Sequence, residues 1–135
     1  MANALYDKGR EAFLGGTISW SGDTIKAVLV ATSLYTVDLA THQFLSDVAG
    51  GARIATSGAL TTKTVTAGVA DADDAAFTAV AGVAVAALVL YKDTGSAASS
   101  PLIAYLDTVT GLPFTPSGGD VTIVWANTAN RIFKL

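Results

Sequence analysis

Short runs of β-branched and aliphatic residues, cut by turn residues roughly every 8 to 12 positions, constrain this chain more than any other feature. Val, Ile and Thr lose side-chain freedom in a helix but pack well on a pleated sheet. The runs occupy residues 24–31, 53–57, 60–66, 75–80, 85–91, 101–107 and 121–125, with 131–135 as a last edge strand. Thr62, Thr64 and Thr66 alternate with Lys63 and Val65, the period of two that marks a sheet. Pro101 opens its run, the one strand position that tolerates a missing N–H. Turns fall at Ser21-Gly22-Asp23, at the acidic 71–74 segment, at Lys92-Asp93-Thr94-Gly95 and at 127–130. The 96–100 segment is a small polar loop, and 111–119, with two prolines, is a constrained one. About seven or eight short antiparallel strands at this spacing predict a mainly β, single-domain sandwich or barrel across residues 1–135.

Three segments add to or complicate that pattern. Asn3 is placed to cap a helix, Gly15-Gly16 to stop it, so a short helical segment is expected over about 3–15. It is too short to persist without tertiary packing. Thr41 could cap a second, one- or two-turn helix over 42–47 that buries Phe44, Leu45 and Val48. The apolar stretch 77–91 admits two strands joined near Gly82 or one buried helix over 78–90; Val83, Val85 and Val89 favour strands. It is shorter than the about 20 residues a membrane span needs. Asp7, Lys8, Arg10 and Glu11 stand where a secretory signal would carry its apolar run, so none is expected.

Composition excludes several functions. Eight Lys and Arg face eleven Asp and Glu, and the isoelectric point is about 4.7, so no basic stripe awaits nucleic-acid phosphates. Cysteine is absent and His42 is the only histidine, which removes disulfides, thiol chemistry and Cys- or His-rich metal sites. Charged residues are 14% of the chain, against about 25% in an ordinary domain. A surface of Thr, Ser, Ala and Gly suits a protein held permanently against neighbours; a stable extracellular β domain with a neutral surface is the alternative.

Candidate chemical sites are weak. His42 lies between Thr41 and Gln43 with no nucleophile motif beside it and is expected to be a half-exposed structural residue. Asp23, Asp93 and Asp120 adjoin Gly, Ser or Thr and are expected to form turns, because the Asp side chain bonds nearby backbone. Asp71, Asp73 and Asp74 could hold Ca²⁺, yet the EF-hand glycine and glutamate are missing, so a solvated acidic turn is the better reading. The Gly-Gly pairs at 15–16, 50–51 and 118–119 lack the Lys-Ser or Lys-Thr of a phosphate loop. Trp125 is expected in the core and Trp20 over the helix. No cofactor and no catalytic residue is expected.

The segments Asn3-Ala4-Leu5-Tyr6-Asp7-Lys8-Gly9-Arg10-Glu11-Ala12-Phe13-Leu14, Tyr91-Lys92-Asp93-Thr94-Gly95, Leu102-Ile103-Ala104-Tyr105, Thr110-Gly111-Leu112-Pro113 and Gly118-Gly119-Asp120-Val121-Thr122 resemble a family of small structural proteins of tailed bacteriophages and prophages. The similarity spans most of the chain and rests on turn and strand residues; around Ala81–Ala86 this chain is less polar than the family. The resemblance implies a virion protein made in the host bacterial cytoplasm, first of all a capsid decoration, or cement, protein. Its partners would be the major capsid protein and itself, trimers included, with neither nucleic acid nor membrane. A neck or tail-associated protein and a receptor- or glycan-binding β module are the other functions it leaves open; an enzyme is not expected. Leu5, Tyr6 and Phe13 on the N-terminal element, and Arg131 and Phe133 on the last edge, are the candidate partner-binding residues. The alternative for the N-terminal three is that they cover one open end of the sandwich.

Overall fold

The structure is a computed structural model and describes residues 3–125 and 131–134. Its elements, in chain order, are β1 (Ala4–Leu5), α1 (Asp7–Leu14), β2 (Ile25–Val30), β3 (Arg53–Thr56), β4 (Thr64–Thr66), β5 (Val69–Asp71), β6 (Ala75–Phe77), β7 (Ala87–Lys92), β8 (Leu102–Leu106), β9 (Val121–Ile123) and β10 (Phe133–Lys134). Every pairing is antiparallel. The main sheet runs β1-β8-β7-β2-β3, and two smaller sheets, β10-β5-β4 and β6-β9, complete the fold. The chain is thus mainly β, a small sandwich-like domain with one N-terminal helix.

The central strands are apolar on both faces, apart from Lys26 and Lys92 near one end, because the main sheet is covered on both sides. Ile25, Ala27 and Leu29 of β2 and Leu88 and Leu90 of β7 point into one core, which Ala70, Phe77, Ile123 and Phe133 of the smaller sheets close. Val28 and Val30 of β2, with Ala87, Val89 and Tyr91 of β7, point the other way. No sheet covers that side. Residues 31–52 cross it as a strap, setting Tyr35, Leu45, Val48 and Ala52 into a second core. Backbone bonds stitch the strap down: Leu102 N–H to Gln43 O at 2.8 Å, Leu45 N–H to Ser100 O at 2.9 Å and Asp7 N–H to Leu39 O at 2.8 Å.

Helix α1 packs on β8 through a bulge. Ala104 opposes Leu90 and Leu102 opposes Tyr91, leaving Ile103 as the extra residue. The Tyr6 N–H donates to Ile103 O at 3.0 Å. A Cβ on Gly9 would sit 2.7 Å from Leu102 O and 2.9 Å from Ile103 O, so only glycine allows this approach. Gly15 and Gly16 end the helix as expected, Gly16 with φ of 79°.

Several boundaries differ from the sequence expectation, each through tertiary pairing. Asn3 does not cap the helix: Ala4 and Leu5 pair with Tyr105 and Ala104, and α1 begins only at Asp7. The Asn3 side chain instead accepts the N–H groups of Asp107 and Thr108 at 2.9 and 2.8 Å. Residues 42–47 form no capped α-helix; a single 3-10 turn, Leu45–Asp47, follows an isolated bridge from Phe44 to Pro101. The 60–66 run yields only β4, since Leu60 N–H turns to Ile25 O and Thr62 takes φ of 52°. The 75–80 run stops at Phe77, ahead of Ala79 with φ of 49°. The rival helix over 78–90 does not form; Val85 bridges to Phe114 and β7 starts at Ala87. Strand β5 was not expected. At the last edge Arg131 has φ of 42° and stands outside β10. The turn expected at 127–130 lies outside the described residues, as does Leu135.

Candidate functional site

The five expected partner-binding residues do not form one exposed face. Leu5 and Tyr6 are buried, β1 under one core and Tyr6 wholly inside the other. Phe133 is buried too, its ring edge-on to Trp20 at 5.2 Å and 6.1 Å from that of Phe13, which is half-buried. These rings, Phe13, Trp20 and Phe133, pack together beside the helix, while Tyr6 lies in the other core. Arg131 is exposed and pairs with Asp71 at 3.4 Å. It borders an open cleft of about 560 Å³ between β1 and β10, where Leu5, Phe133 and Lys134 also line the wall.

A buried cluster of aromatic polar side chains lies under the strap. Tyr6 and Tyr35 hydroxyls are 2.8 Å apart, and the Tyr35 hydroxyl is 2.8 Å from His42 Nδ1. The Asp38 N–H also donates to Nδ1, at 3.3 Å, so this nitrogen is an acceptor. Tyr35 therefore donates to His42, and Tyr6 donates to Tyr35. Burial drives the Tyr6 phenol far above its ordinary value, and burial first of all pushes Tyr35 up to about 12. Two phenols held in their neutral form, beside an imidazole that accepts from both a hydroxyl and an amide, make a clasp. It joins the N-terminal segment, the strap and the sheet. His42 is half-exposed, as expected, but its place in this clasp had no sequence signal: Tyr6, Tyr35 and His42 come together only when the strap folds over β8.

Asp23 and Asp93 shape their own turns as expected, whereas Asp120 does not: its carboxylate reaches a loop distant in sequence. Asp23 accepts Ser19 N–H at 2.7 Å, Asp93 accepts Gly95 N–H at 3.0 Å and Asp120 accepts Ala79 N–H at 3.0 Å. In the acidic turn, Asp73 takes the hydroxyls of Thr61 and Thr62, and Asp74 takes Trp125 N–H at 3.1 Å. Among the described residues no group of three or more His, Asp or Glu side chains is placed to hold a metal ion. Nor, among them, is any helix long and apolar enough to cross a membrane.

An uncharged surface lies at residues 76–84. No residue from Ala75 to Tyr91 carries a charge, and Ala76, Thr78, Ala81, Val83 and Ala84 are exposed. The Val85–Phe114 bridge and the Gly118 N–H to Val80 O bond, 2.7 Å, bring the 113–119 loop alongside. Asp120 stands at its rim, its carboxylate on the Ala79 N–H. The apolar stretch 77–91 thus divides: residues 78, 79 and 81–84 are exposed, while Phe77, Val80, Val85 and residues 87–91 are packed inside.

Neither protein-family models nor curated proteins match this sequence.

Proposed function

We propose that this chain is a structural protein of a bacteriophage virion, a capsid decoration protein that binds the outer shell across contacts between major capsid protein subunits. The observation that carries the reading is the uncharged exposed surface of residues 76–84 beside the 113–119 loop. Desolvating such a surface costs little, because no charge stands within residues 76–84 and the Asp120 carboxylate that borders it is already on the Ala79 N–H. The sequence likeness to phage structural proteins agrees with it. A protein that binds only the assembled lattice stabilises that lattice by mass action, and many copies acting at once multiply the effect. Self-association into trimers belongs to the same reading.

A glycan-binding module is less well supported. It would display aromatic rings, whereas Trp20, Trp125 and all four tyrosines are buried. The test is the copy number of the chain in purified virions, by quantitative mass spectrometry against the major capsid protein. A ratio near one to one supports a shell component. A handful of copies per particle moves the protein to the neck or tail, and absence from the particle overturns the proposal.

A further inference from the structure

His42 is the one histidine of the chain, and its Nδ1 is the last acceptor of the hydrogen-bond chain that starts at Tyr6. Protons and contacts can be counted along it. The Tyr6 oxygen, the Tyr35 oxygen and Nδ1 share two contacts, each of 2.8 Å. With Nδ1 bare there are two protons, one for each contact. A proton on Nδ1 makes three protons for the same two contacts. Either Nδ1–H donates to Tyr35 and Tyr35 to Tyr6, which leaves the Tyr6 hydroxyl with nothing to donate to, or Tyr6 goes on donating and the Tyr35 hydroxyl is left over. Both tyrosines are buried, so each arrangement orphans a buried O–H. The Asp38 N–H, 3.3 Å from Nδ1, then also faces an N–H in place of a lone pair.

The charged groups around the ring act in the opposite sense. Thr41 holds the Asp38 carboxyl below the usual range, the Gln43 and Phe44 N–H groups hold that of Asp47 there, and a charge on His42 adds to both. Both carboxylates are therefore ionised where histidine titrates, and they attract an imidazolium. Tyr35 packs on Tyr105 of β8, with ring centroids 6.4 Å apart. Burial first of all keeps the Tyr6, Tyr35 and Tyr105 phenols neutral in that range. The carboxylates favour a charged His42, and the closed hydrogen-bond chain has no place for its proton. Only a ring that leaves Tyr35 meets both demands. The segment that carries it is tied down on either side of His42, by Asp7 N–H on Leu39 O and Leu102 N–H on Gln43 O, both at 2.8 Å.

We propose that the strap segment 35–43 is a pH-operated latch: neutral His42 holds it closed over the main sheet, and protonation turns the imidazole from Tyr35 toward the Asp38 and Asp47 carboxylates and releases the segment. A proton shifts such an equilibrium only by binding one state better. Here that state is the released one, in which water takes the orphaned hydroxyl. The latch is closed above the range in which histidine charges, about pH 6.5, and opens as pH falls through it. It stands independently of the shell-binding reading.

The experiment is amide hydrogen exchange by NMR on the purified chain at pH 7.5 and 5.5, read as protection factors so that the intrinsic pH dependence of exchange drops out. Protection of the Asp7 and Leu102 amides is expected to fall at least about tenfold at the lower pH, while the β2–β7 ladder amides keep theirs. His42→Asn sets an amide oxygen near the place of Nδ1, accepts from Tyr35 and does not titrate, so its protection is expected to be equal at both pH values. Unchanged protection of Asp7 and Leu102 in the parent overturns the latch. An equal fall in His42→Asn assigns the titration to another group and overturns it. A fall shared by the ladder amides means unfolding of the whole domain and overturns it too. The ¹⁵N shifts of the His42 ring give a check that needs no variant: Nδ1 is expected bare at pH 7.5, and a proton found there removes the acceptor on which the latch rests.

Discussion

At the scale of single residues, the Tyr6–Tyr35–His42 clasp shows how a polar chain can sit in an apolar core. Each hydroxyl has somewhere to donate, so burial costs little. Tyr35→Phe removes the acceptor for Tyr6 and leaves that buried hydroxyl with no partner. The expected loss is about 1–3 kcal/mol of unfolding free energy, measured by urea denaturation. His42→Ala leaves the Tyr6–Tyr35 bond in place and exposes the end of the chain to water, so it should cost less. The same phenols set an alkaline limit. Because the folded-state pKa of Tyr35 is raised, its contribution is complete below the ordinary value of 10.0 and is lost as pH rises toward about 12. Tyr6, shifted further in the same direction, extends the loss. Chemical denaturation across this range should show stability falling with pH, and a flatter fall in Tyr35→Phe. A parent protein equally stable on both sides of the window would contradict the buried clasp.

At the scale of elements, what could be read from the sequence depended on whether local pattern or tertiary pairing decides the structure. The expected strand 24–31 survives as Ile25–Val30 and 101–107 as Leu102–Leu106, because β-branched and aliphatic runs bounded by turn residues need little context. The β4–β5 hairpin was missed. Its two-residue loop is Ala67-Gly68, both with positive φ, 53° and 78°, a conformation announced by Asn-Gly or Asp-Gly and not by Ala. The two-residue strand β1 was missed because it exists only through Tyr105 and Ala104. Gly9 is where helix and sheet depend on each other. Alanine normally favours a helix interior by about 0.5–1 kcal/mol over glycine. Here Gly9→Ala drives a methyl into the carbonyls of Leu102 and Ile103, which are backbone and cannot turn aside. The steric cost, about 1–3 kcal/mol, outweighs the propensity gain, so thermal unfolding should shift downward. An upward shift would mean that α1 does not approach β8 this closely.

The strap obeys a different control. Asp47 accepts the Gln43 and Phe44 N–H groups at 2.7 and 3.1 Å, and these bonds, Gln43 first, hold its carboxyl below the usual aspartate value. A depressed folded-state pKa gives stability that is present above the ordinary carboxylate range and lost as pH falls through the folded value. Asp47→Ala should therefore cost about 1 kcal/mol near neutrality. It should also flatten the acid limb, since the group responsible is gone. Equal acid slopes in the two proteins would assign the acid loss elsewhere, Asp23 and Asp93 being the next carboxylates held down by backbone N–H or lysine.

At the scale of the whole molecule, the two faces of the main sheet are spent on different tasks. One is sealed by the smaller sheets and the other by the strap, so neither is free for a partner. What remains is the rim, with the uncharged 76–84 surface. Of the N-terminal candidates Leu5 and Tyr6 lie in the interior and Phe13 is half-buried, because large apolar groups on a short element are needed most by the chain itself. A residue such as Val83 is the opposite case. It is 49% exposed and packs no core, so nothing in the fold requires it. Val83→Lys should leave the unfolding free energy within about 0.5 kcal/mol of the parent. Yet it places an ammonium group in the middle of a surface that buries no charge, and a desolvated, unpaired cation costs several kcal/mol at a closed interface. Shell occupancy should drop sharply at equal protein concentration, and Val83→Thr, which adds a hydroxyl but no charge, should retain most of it. If Val83→Lys binds shells as well as the parent, the uncharged surface is not the docking face, whatever the copy number in the particle.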